Sequence, residues 1–162
     1  MNYKTFSDMS KDIFNSMDKI PKDIDLIIAI PRSGLFPAQI ISNLIHKPMT
    51  VLDDFLDKKI YSCGLTRNIP ILPFEKIKKV LIVDDSILNG NQMIKVKEKL
   101  KQFSNICFIY LAVYSTLDAI QKVDIYCKIC PIPRLFEWNI FNSWIIKNSC
   151  FDIDGILCKD PT

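Results

Sequence analysis

The sequence predicts an α/β fold, a three-layer sandwich in which helices cover a mainly parallel central sheet. Strand-like apolar runs at 25–30, 48–55, 79–84 and 106–114 alternate with helical patterns at 36–46 and 91–103. Such alternation is typical of parallel strands joined by crossover helices. Two of the strands run directly into charged loops, at 30–38 and 84–91, and the carboxyl ends of strands are where such sheets bind ligands.

Apolar spacing predicts the individual elements. Apolar residues recur in steps of three and four across 3–20, which indicates an N-terminal helix. The run 25-DLIIAI-30 lacks polar alternation, so we expect a strand that is covered on both faces. Residues 56–78 are polar and interrupted by glycine and proline, which predicts a long loop or an irregular hairpin.

Composition indicates a globular chain and excludes two classes of partner. Of its 162 residues, 49% are hydrophobic and 24% are charged, and the net charge of +3 comes from scattered lysines. We therefore expect no nucleic-acid surface. No apolar run approaches the roughly 18 residues of a membrane span, and the N-terminus lacks a signal-peptide core. These features predict a cytoplasmic protein without a membrane partner.

Two adjacent carboxylates end a buried strand in 80-VLIVDDSILNGN-91. A buried like-charged pair such as Asp84 and Asp85 needs a cation or hydrogen-bond donors to match it. A sugar diol supplies two donors, and Mg²⁺ supplies the charge. Residues 86–91 precede a helix, so their free amides form a phosphate cradle. There Gly90 would allow close approach of the backbone to the anion.

A second loop, 30-IPRSGLFPA-38, carries the guanidinium of Arg32 beside Gly34. A guanidinium suits a further phosphate group. If the two strands are neighbours, both loops face one crevice. The predicted ligand then combines a phosphate, a vicinal diol and a second anionic group, which is the outline of a phosphorylated ribose that carries pyrophosphate.

These motifs resemble those of the type I phosphoribosyltransferases. VLIVDDSILNG is similar to that family's phosphoribosyl-pyrophosphate (PRPP) motif, and IPRSG is similar to its pyrophosphate loop. The resemblance covers about residues 20–115 and implies a type I phosphoribosyltransferase-like fold. It also implies a glycosyltransferase of nucleotide metabolism, which uses PRPP and Mg²⁺ to transfer phosphoribosyl to a nucleobase or similar nitrogen acceptor and releases pyrophosphate.

The resemblance also implies roles for individual residues. Asp84 and Asp85 would be catalytic and would hold the ribose hydroxyls directly or through Mg²⁺, with Arg67 as a further catalytic residue on a basic lid at 57–68 that includes Lys58 and Lys59. Asn89 departs from the family's usual Thr or Ser. The expected PRPP-binding set is Arg32, Ser33, Gly34, Asp84, Asp85, Ser86, Ile87, Leu88, Asn89, Gly90 and Asn91.

Three alternatives stay open at this point. The chain could be a non-catalytic PRPP- or nucleotide-binding regulatory domain, which is favoured if the lid's basic groups do not reach the pyrophosphate. The acid pair could instead be a turn in which Asp85 or Ser86 caps the next helix. Tyr114, Phe136 or Trp138 could stack on an acceptor ring, although aromatic residues of this kind are more often core.

The C-terminal part is expected to differ from the rest. We divide the chain into a phosphoribosyltransferase-like domain at 1–130 and an aromatic hood or linker with a first strand at 131–162. The sequence 151-FDIDGILC-158 resembles the first motif of haloacid-dehalogenase-like hydrolases, with Asp152 as nucleophile and Asp154 as proton carrier. The further motifs of those hydrolases are missing from the sequence, so we expect a vestigial hydrolase motif. That the chain is the remnant of a phosphatase is the hypothesis that the sequence favours least. An exposed aromatic tail would allow a homodimer.

Overall fold

The computed structural model describes residues 1–61, 71–144 and 149–150. The strands are β1 (Asn2–Lys4), β2 (Leu26–Ala29), β3 (Met49–Val51), β4 (Lys79–Ile87), β5 (Cys107–Ser115), β6 (Ile125–Ile129) and β7 (Arg134–Phe136). The α-helices are α1 (Phe6–Phe14), α2 (Leu35–Ile45), α3 (Leu52–Leu56) and α4 (Asn91–Leu100), and 3₁₀ turns cover Met17–Lys19, Phe74–Lys76, Leu117–Lys122 and Glu137–Asn142. Among the described residues, no helix has the length and apolar character of a membrane span.

The central sheet confirms the predicted α/β fold. Five strands are hydrogen-bonded in the order β3-β2-β4-β5-β6, and every pair is parallel. β4 therefore lies in the middle, directly beside β2. Because the strands are parallel, the loops that leave the carboxyl ends of β2 and β4 emerge at the same edge.

Helices cover both faces of this sheet. Leu81 and Val83 of β4 pack in the cluster that includes α1 and α2, while Val80 and Ile82 pack with the residues of α4. All four side chains are fully buried, which explains why β4 has no polar alternation. Asp84 and Asp85 continue these two rows at the end of the apolar run.

Two predicted strand ends are wrong. β4 continues through the acid pair to Ile87 instead of stopping at residue 84. The run predicted as one strand at 48–55 is a strand only as far as Val51, and α3 begins at Leu52. In α3 the buried Leu52 and Phe55 are three residues apart, and acidic residues occupy the first turn, where the helix dipole favours them.

A small second sheet joins the N-terminal residues to residues 134–136. β1 pairs in parallel with β7, so that Asn2, Tyr3 and Lys4 lie opposite residues 134–136. Just beyond, the backbone amide of Phe6 donates to Oε2 of Glu137 at 2.7 Å. These contacts hold the 3₁₀ turn Glu137–Asn142, called the tail segment below, against α1.

The turn between β2 and α2 packs tightly against β4. The backbone amide of Gly34 donates to the carbonyl of Ile30 at 3.0 Å. A Cβ atom at Gly34 would lie 2.4 Å from the Ile30 carbonyl oxygen and 2.7 Å from the Val83 carbonyl oxygen. Since both neighbours are backbone atoms of the sheet, only glycine fits, and the Arg32 loop is held beside the residue that precedes Asp84.

Replacing this glycine tests the packing of the turn. We expect Gly34→Ala to lower the free energy of unfolding by about 1–3 kcal/mol, the usual cost of overpacking. Chemical denaturation followed by circular dichroism measures the change. Ser33→Ala is the matched control, because Ser33 is partly exposed. A Gly34→Ala protein as stable as the control would contradict the packing argument.

Candidate active site

Asp84 and Asp85 are both buried, with only 5% and 7% of their surface exposed. Oδ1 of Asp84 accepts a hydrogen bond from the Asp85 backbone amide at 2.9 Å. Oδ2 of Asp85 accepts from the Trp138 indole Nε1 at 2.7 Å and weakly from the Ser86 hydroxyl at 3.4 Å. Among the described residues, neither carboxylate forms an ion pair. In the described structure, the two carboxylates are therefore hydrogen-bonded only by uncharged donors.

Burial has a direct electrostatic consequence for Asp84. Removal from water, and then the neighbouring Asp85 carboxylate, raise the pKa of Asp84 from 3.8 to about 8. Both effects penalise the ionised carboxyl group. A cation at this position would remove the penalty, so the site favours a metal ion or a ligand with developing positive charge.

Trp138 lies in an aromatic stack beneath the acid pair. Its ring stacks on Phe136 with 4.9 Å between ring centroids, and Phe136 in turn stacks on Tyr114 at 5.4 Å. Tyr114 and Phe136 are buried, and the Tyr114 hydroxyl donates to Asp12 at 3.0 Å. These two rings are core residues, as the sequence favoured. Trp138 has a further role that the sequence did not show, because its N–H is the donor that fixes Asp85.

The tail segment also contacts the Arg32 loop. Nη2 of Arg32 donates to Oδ1 of Asn139 at 2.6 Å. Asn139 departs from helical geometry, with φ of −135° and ψ of 18°. With its amide oxygen turned toward Arg32, Asn142 accepts from Nη1 at 2.9 Å. Arg32 and Asp85 are thus bound by residues of one short segment, and the structure brings the two predicted loops together.

The predicted phosphate loop leads into α4, and Gly90 is its N-cap with a left-handed φ of 76°. This geometry excludes Asp85 or Ser86 as the cap of α4, so the helix-capping alternative is wrong. A Cβ at Gly90 would lie 2.7 Å from Cγ of Lys122. The space beside Gly90 is therefore filled by the Lys122 side chain, which the sequence did not predict.

Some of the polar groups of this loop already form hydrogen bonds within the protein. Oδ1 of Asn89 accepts from the Asn91 amide at 3.1 Å, and the Leu88 carbonyl accepts from the Thr116 hydroxyl at 2.8 Å. Asn89 thus caps the first amide of α4 and keeps its own NH₂ group as a donor. The next amides, of Gln92 and Met93, have no side-chain acceptor among the described residues, so an anion can still bind there.

The described part of the predicted lid lies away from this site. The Lys58 ammonium lies over the ring of Phe74 at 5.7 Å, near the start of β4, at the opposite edge from Asp84. Lys59 forms an exposed ion pair with Asp57 at 3.1 Å. Arg67 lies outside the described residues, so its predicted catalytic role stays a prediction.

Comparison with known proteins decides the family. The family model described as "Phosphoribosyl transferase domain" matches residues 3–144. The chain belongs to the phosphoribosyl transferase domain family. Residues 131–142, which the sequence assigned to a hood or linker, lie inside this match. No curated protein matches the sequence.

Solved structures show the same fold in this phosphoribosyltransferase domain. A purine phosphoribosyltransferase from Pyrococcus horikoshii has 24% identity and a TM-score of 0.64, over 85% of this chain and 92% of that one. The xanthine-guanine-hypoxanthine phosphoribosyltransferase of Helicobacter pylori has 15% identity and a TM-score of 0.63, over 91% and 97%. At these identities the likeness concerns the fold.

The haloacid-dehalogenase-like resemblance gains no support. The family match ends at residue 144, and Asp152 and Asp154 lie outside the described residues. The vestigial hydrolase motif and the domain division at residue 131 stay predictions.

Removing the indole donor tests the role of Trp138. Trp138→Phe keeps an aromatic ring but leaves Asp85 without its short hydrogen bond. We expect the free energy of unfolding to fall by about 1.5–3 kcal/mol, the range for hydrogen bonds to charged groups. Urea denaturation measures it. Trp144→Phe is the control, because Trp144 is 66% exposed, and equal stability of the two variants would contradict the role.

The raised pKa of Asp84 predicts how stability depends on pH. Between the unfolded value of 3.8 and the folded value of about 8, the folded ligand-free chain holds the extra proton. Its free energy of unfolding should therefore fall as pH rises through this window. Asp84→Asn should remove most of that fall and stabilise the protein at pH 8, while the exposed Asp18→Asn should not. Denaturation at several pH values measures both, and parallel curves for wild type and Asp84→Asn would contradict the prediction.

Proposed function

We propose that this domain binds PRPP with Mg²⁺ and transfers its phosphoribosyl group to a nucleobase or similar nitrogen acceptor, releasing pyrophosphate. One observation carries the proposal. Asp85 of the buried acid pair and the Arg32 guanidinium were predicted separately, from loops about fifty residues apart. In the structure they are hydrogen-bonded to neighbouring residues of the tail segment, Asp85 to Trp138 and Arg32 to Asn139.

Each group has a task in this reaction. Arg32 would bind the pyrophosphate, and the amides at the start of α4 would bind the 5′-phosphate. The bond between ribose C1 and the pyrophosphate oxygen breaks, its electron pair leaves with pyrophosphate, and the acceptor nitrogen forms the new bond at C1. Positive charge develops on the ribose ring, where Asp84 and Asp85 stabilise it. The acceptor's proton passes to solvent or to the departing anion.

The acid pair has the chemistry of a Mg²⁺ site. Mg²⁺ prefers oxygen ligands and is commonly held by one or two carboxylates together with substrate phosphates. Asp84 and Asp85 offer carboxylate oxygens that no ion pair occupies among the described residues. No cluster of three or more metal-ligating side chains occurs in the described parts of the chain, so the ligand itself would complete the coordination. When bound, Mg²⁺ would neutralise charge on the leaving pyrophosphate.

The acceptor fits a cavity beside the tail segment. The cavity measures about 240 Å³ and lies between the phosphate loop and the C-terminal aromatic residues. Its wall includes Asn139, the residue that binds Arg32. The cavity therefore adjoins the groups proposed to bind PRPP, and its aromatic lining residues Phe136 and Trp144 suit a heterocyclic ring.

A regulatory PRPP- or nucleotide-binding domain is the second candidate. Lys58 and Lys59 are engaged away from Arg32, which favours a site that binds without completing a catalytic lid. This candidate shares the acid pair, the Arg32 loop and the phosphate loop with the transferase, so the two differ only in turnover.

Thermal shift with PRPP and Mg²⁺ tests binding. We expect ligand to raise the melting temperature of the wild type, because binding to the folded state alone stabilises it. The double variant Asp84→Asn plus Asp85→Asn should lose the shift. The matched control, Asp18→Asn plus Asp53→Asn, removes two exposed carboxylates and should keep it. A shift that survives in the acid-pair variant would overturn the site assignment.

Pyrophosphate release then separates the two candidates. A panel of purine and pyrimidine bases is added with PRPP and Mg²⁺, and released pyrophosphate is measured. Release with one class of base supports the transferase. PRPP binding without release on any base supports the regulatory domain.

A further inference from the structure

Arg134 is a half-buried cation in the wall of the cavity described above. It is the first residue of β7, and its guanidinium carbon lies 5.2 Å from the centre of the Phe136 ring. Stacking of this kind holds a guanidinium plane while its edge stays available for hydrogen bonds. Burial lowers the pKa of Arg134, and the nearby Cys130 and Asp85 side chains offset part of that lowering.

Most N–H donors of the Arg134 guanidinium make no hydrogen bond within the described residues. A guanidinium carries five N–H donors and no acceptor. Among the described residues, Arg134 makes one hydrogen bond, from Nη1 to the Cys130 carbonyl at 3.5 Å, the outer limit of such a bond. No buried side-chain nitrogen or oxygen in the described residues is left without a partner, so the remaining donors of Arg134 keep some exposure, and Arg134 itself lines the cavity.

Among the described residues, the other cavity walls carry no charged acceptor. No carboxylate is among the described lining residues, which are Leu88, Ile132, Arg134, Leu135, Phe136, Asn139, Asn142, Ser143 and Trp144. The Asn139 side-chain oxygen already accepts from Arg32, and the Leu88 carbonyl accepts from Thr116. A ligand that presents an amino group toward Arg134 would pair donor with donor. A ligand that presents an oxygen there would satisfy the guanidinium.

We propose that Arg134 is a specificity-determining residue, which selects acceptors whose ring presents a carbonyl or carboxylate oxygen and rejects those with an amino group at the same position. This inference rests on the proposed function, because it assigns the cavity to the acceptor. It adds a discrimination that the acid pair, the phosphate-loop amides and Arg32 cannot supply, since the proposed function assigns those groups to the sugar and its phosphates.

Matched nucleotide pairs test the selection without requiring turnover. Inosine and adenosine 5′-monophosphate differ at one ring position by oxygen against an amino group, and so do uridine and cytidine 5′-monophosphate. Calorimetric titration of the wild type should show at least roughly tenfold tighter binding of the oxygen-bearing member in one or both pairs. Arg134→Met should abolish the preference, and Arg134→Lys should keep part of it.

PRPP provides the internal control. Binding of PRPP with Mg²⁺ should change less than about threefold in Arg134→Met, and Lys76→Met, an exposed lysine far from the cavity, should alter nothing. Circular dichroism melting confirms that each variant is folded.

The outcomes separate this inference from the proposed function. Equal binding of both members of each pair by the wild type, or a preference that survives in Arg134→Met, overturns the assignment while PRPP binding still supports the proposed function. Loss of PRPP or pyrophosphate affinity in Arg134→Met also overturns it, because Arg134 would then belong to the pyrophosphate site. A wild type that binds neither PRPP nor any nucleotide overturns both.

Discussion

The burial of two adjacent carboxylates in the central strand is the constraint on which the site depends. A buried like-charged pair is costly unless donors or a cation match it. The described chain supplies only neutral donors, from the Asp85 amide, Trp138 and Ser86. A protein that needed only a stable strand would gain by placing apolar side chains there. The arrangement makes physical sense if a ligand completes it.

The rest of the site is assembled around that strand end. Gly34 allows the Arg32 loop to lie against the carbonyl of Val83, and the sheet order places β2 beside β4. The tail segment then joins both loops through side-chain hydrogen bonds, while β1 and β7 anchor it to the start of the chain. The Arg32 loop from the N-terminal part of the domain and the end of β4 from its middle thus contact the same C-terminal segment.

The sequence predicted those features that depend on local pattern. Unbroken apolar runs identified β2, β4 and β5, because a strand that is buried on both faces has few polar residues. Apolar residues in steps of three and four identified α2 and α4, because each helix buries one face. Short β1 and β7 left no such trace, since three residues show no periodicity. The contacts of Trp138 with Asp85 and of Lys122 with Gly90 join residues 53 and 32 positions apart. Only the three-dimensional packing of the chain could reveal them.

Proton release on ligand binding tests the central claim most directly. If a cation or cationic ligand matches the acid pair, Asp84 must lose the proton that its raised pKa retains near neutral pH. Calorimetric titration with PRPP already saturated with Mg²⁺, in buffers of different ionisation enthalpy, measures the protons released. The account predicts a release of up to about one proton at pH 7 that vanishes near pH 9.5, where Asp84 is already ionised. Binding with the same proton balance at both pH values would contradict it.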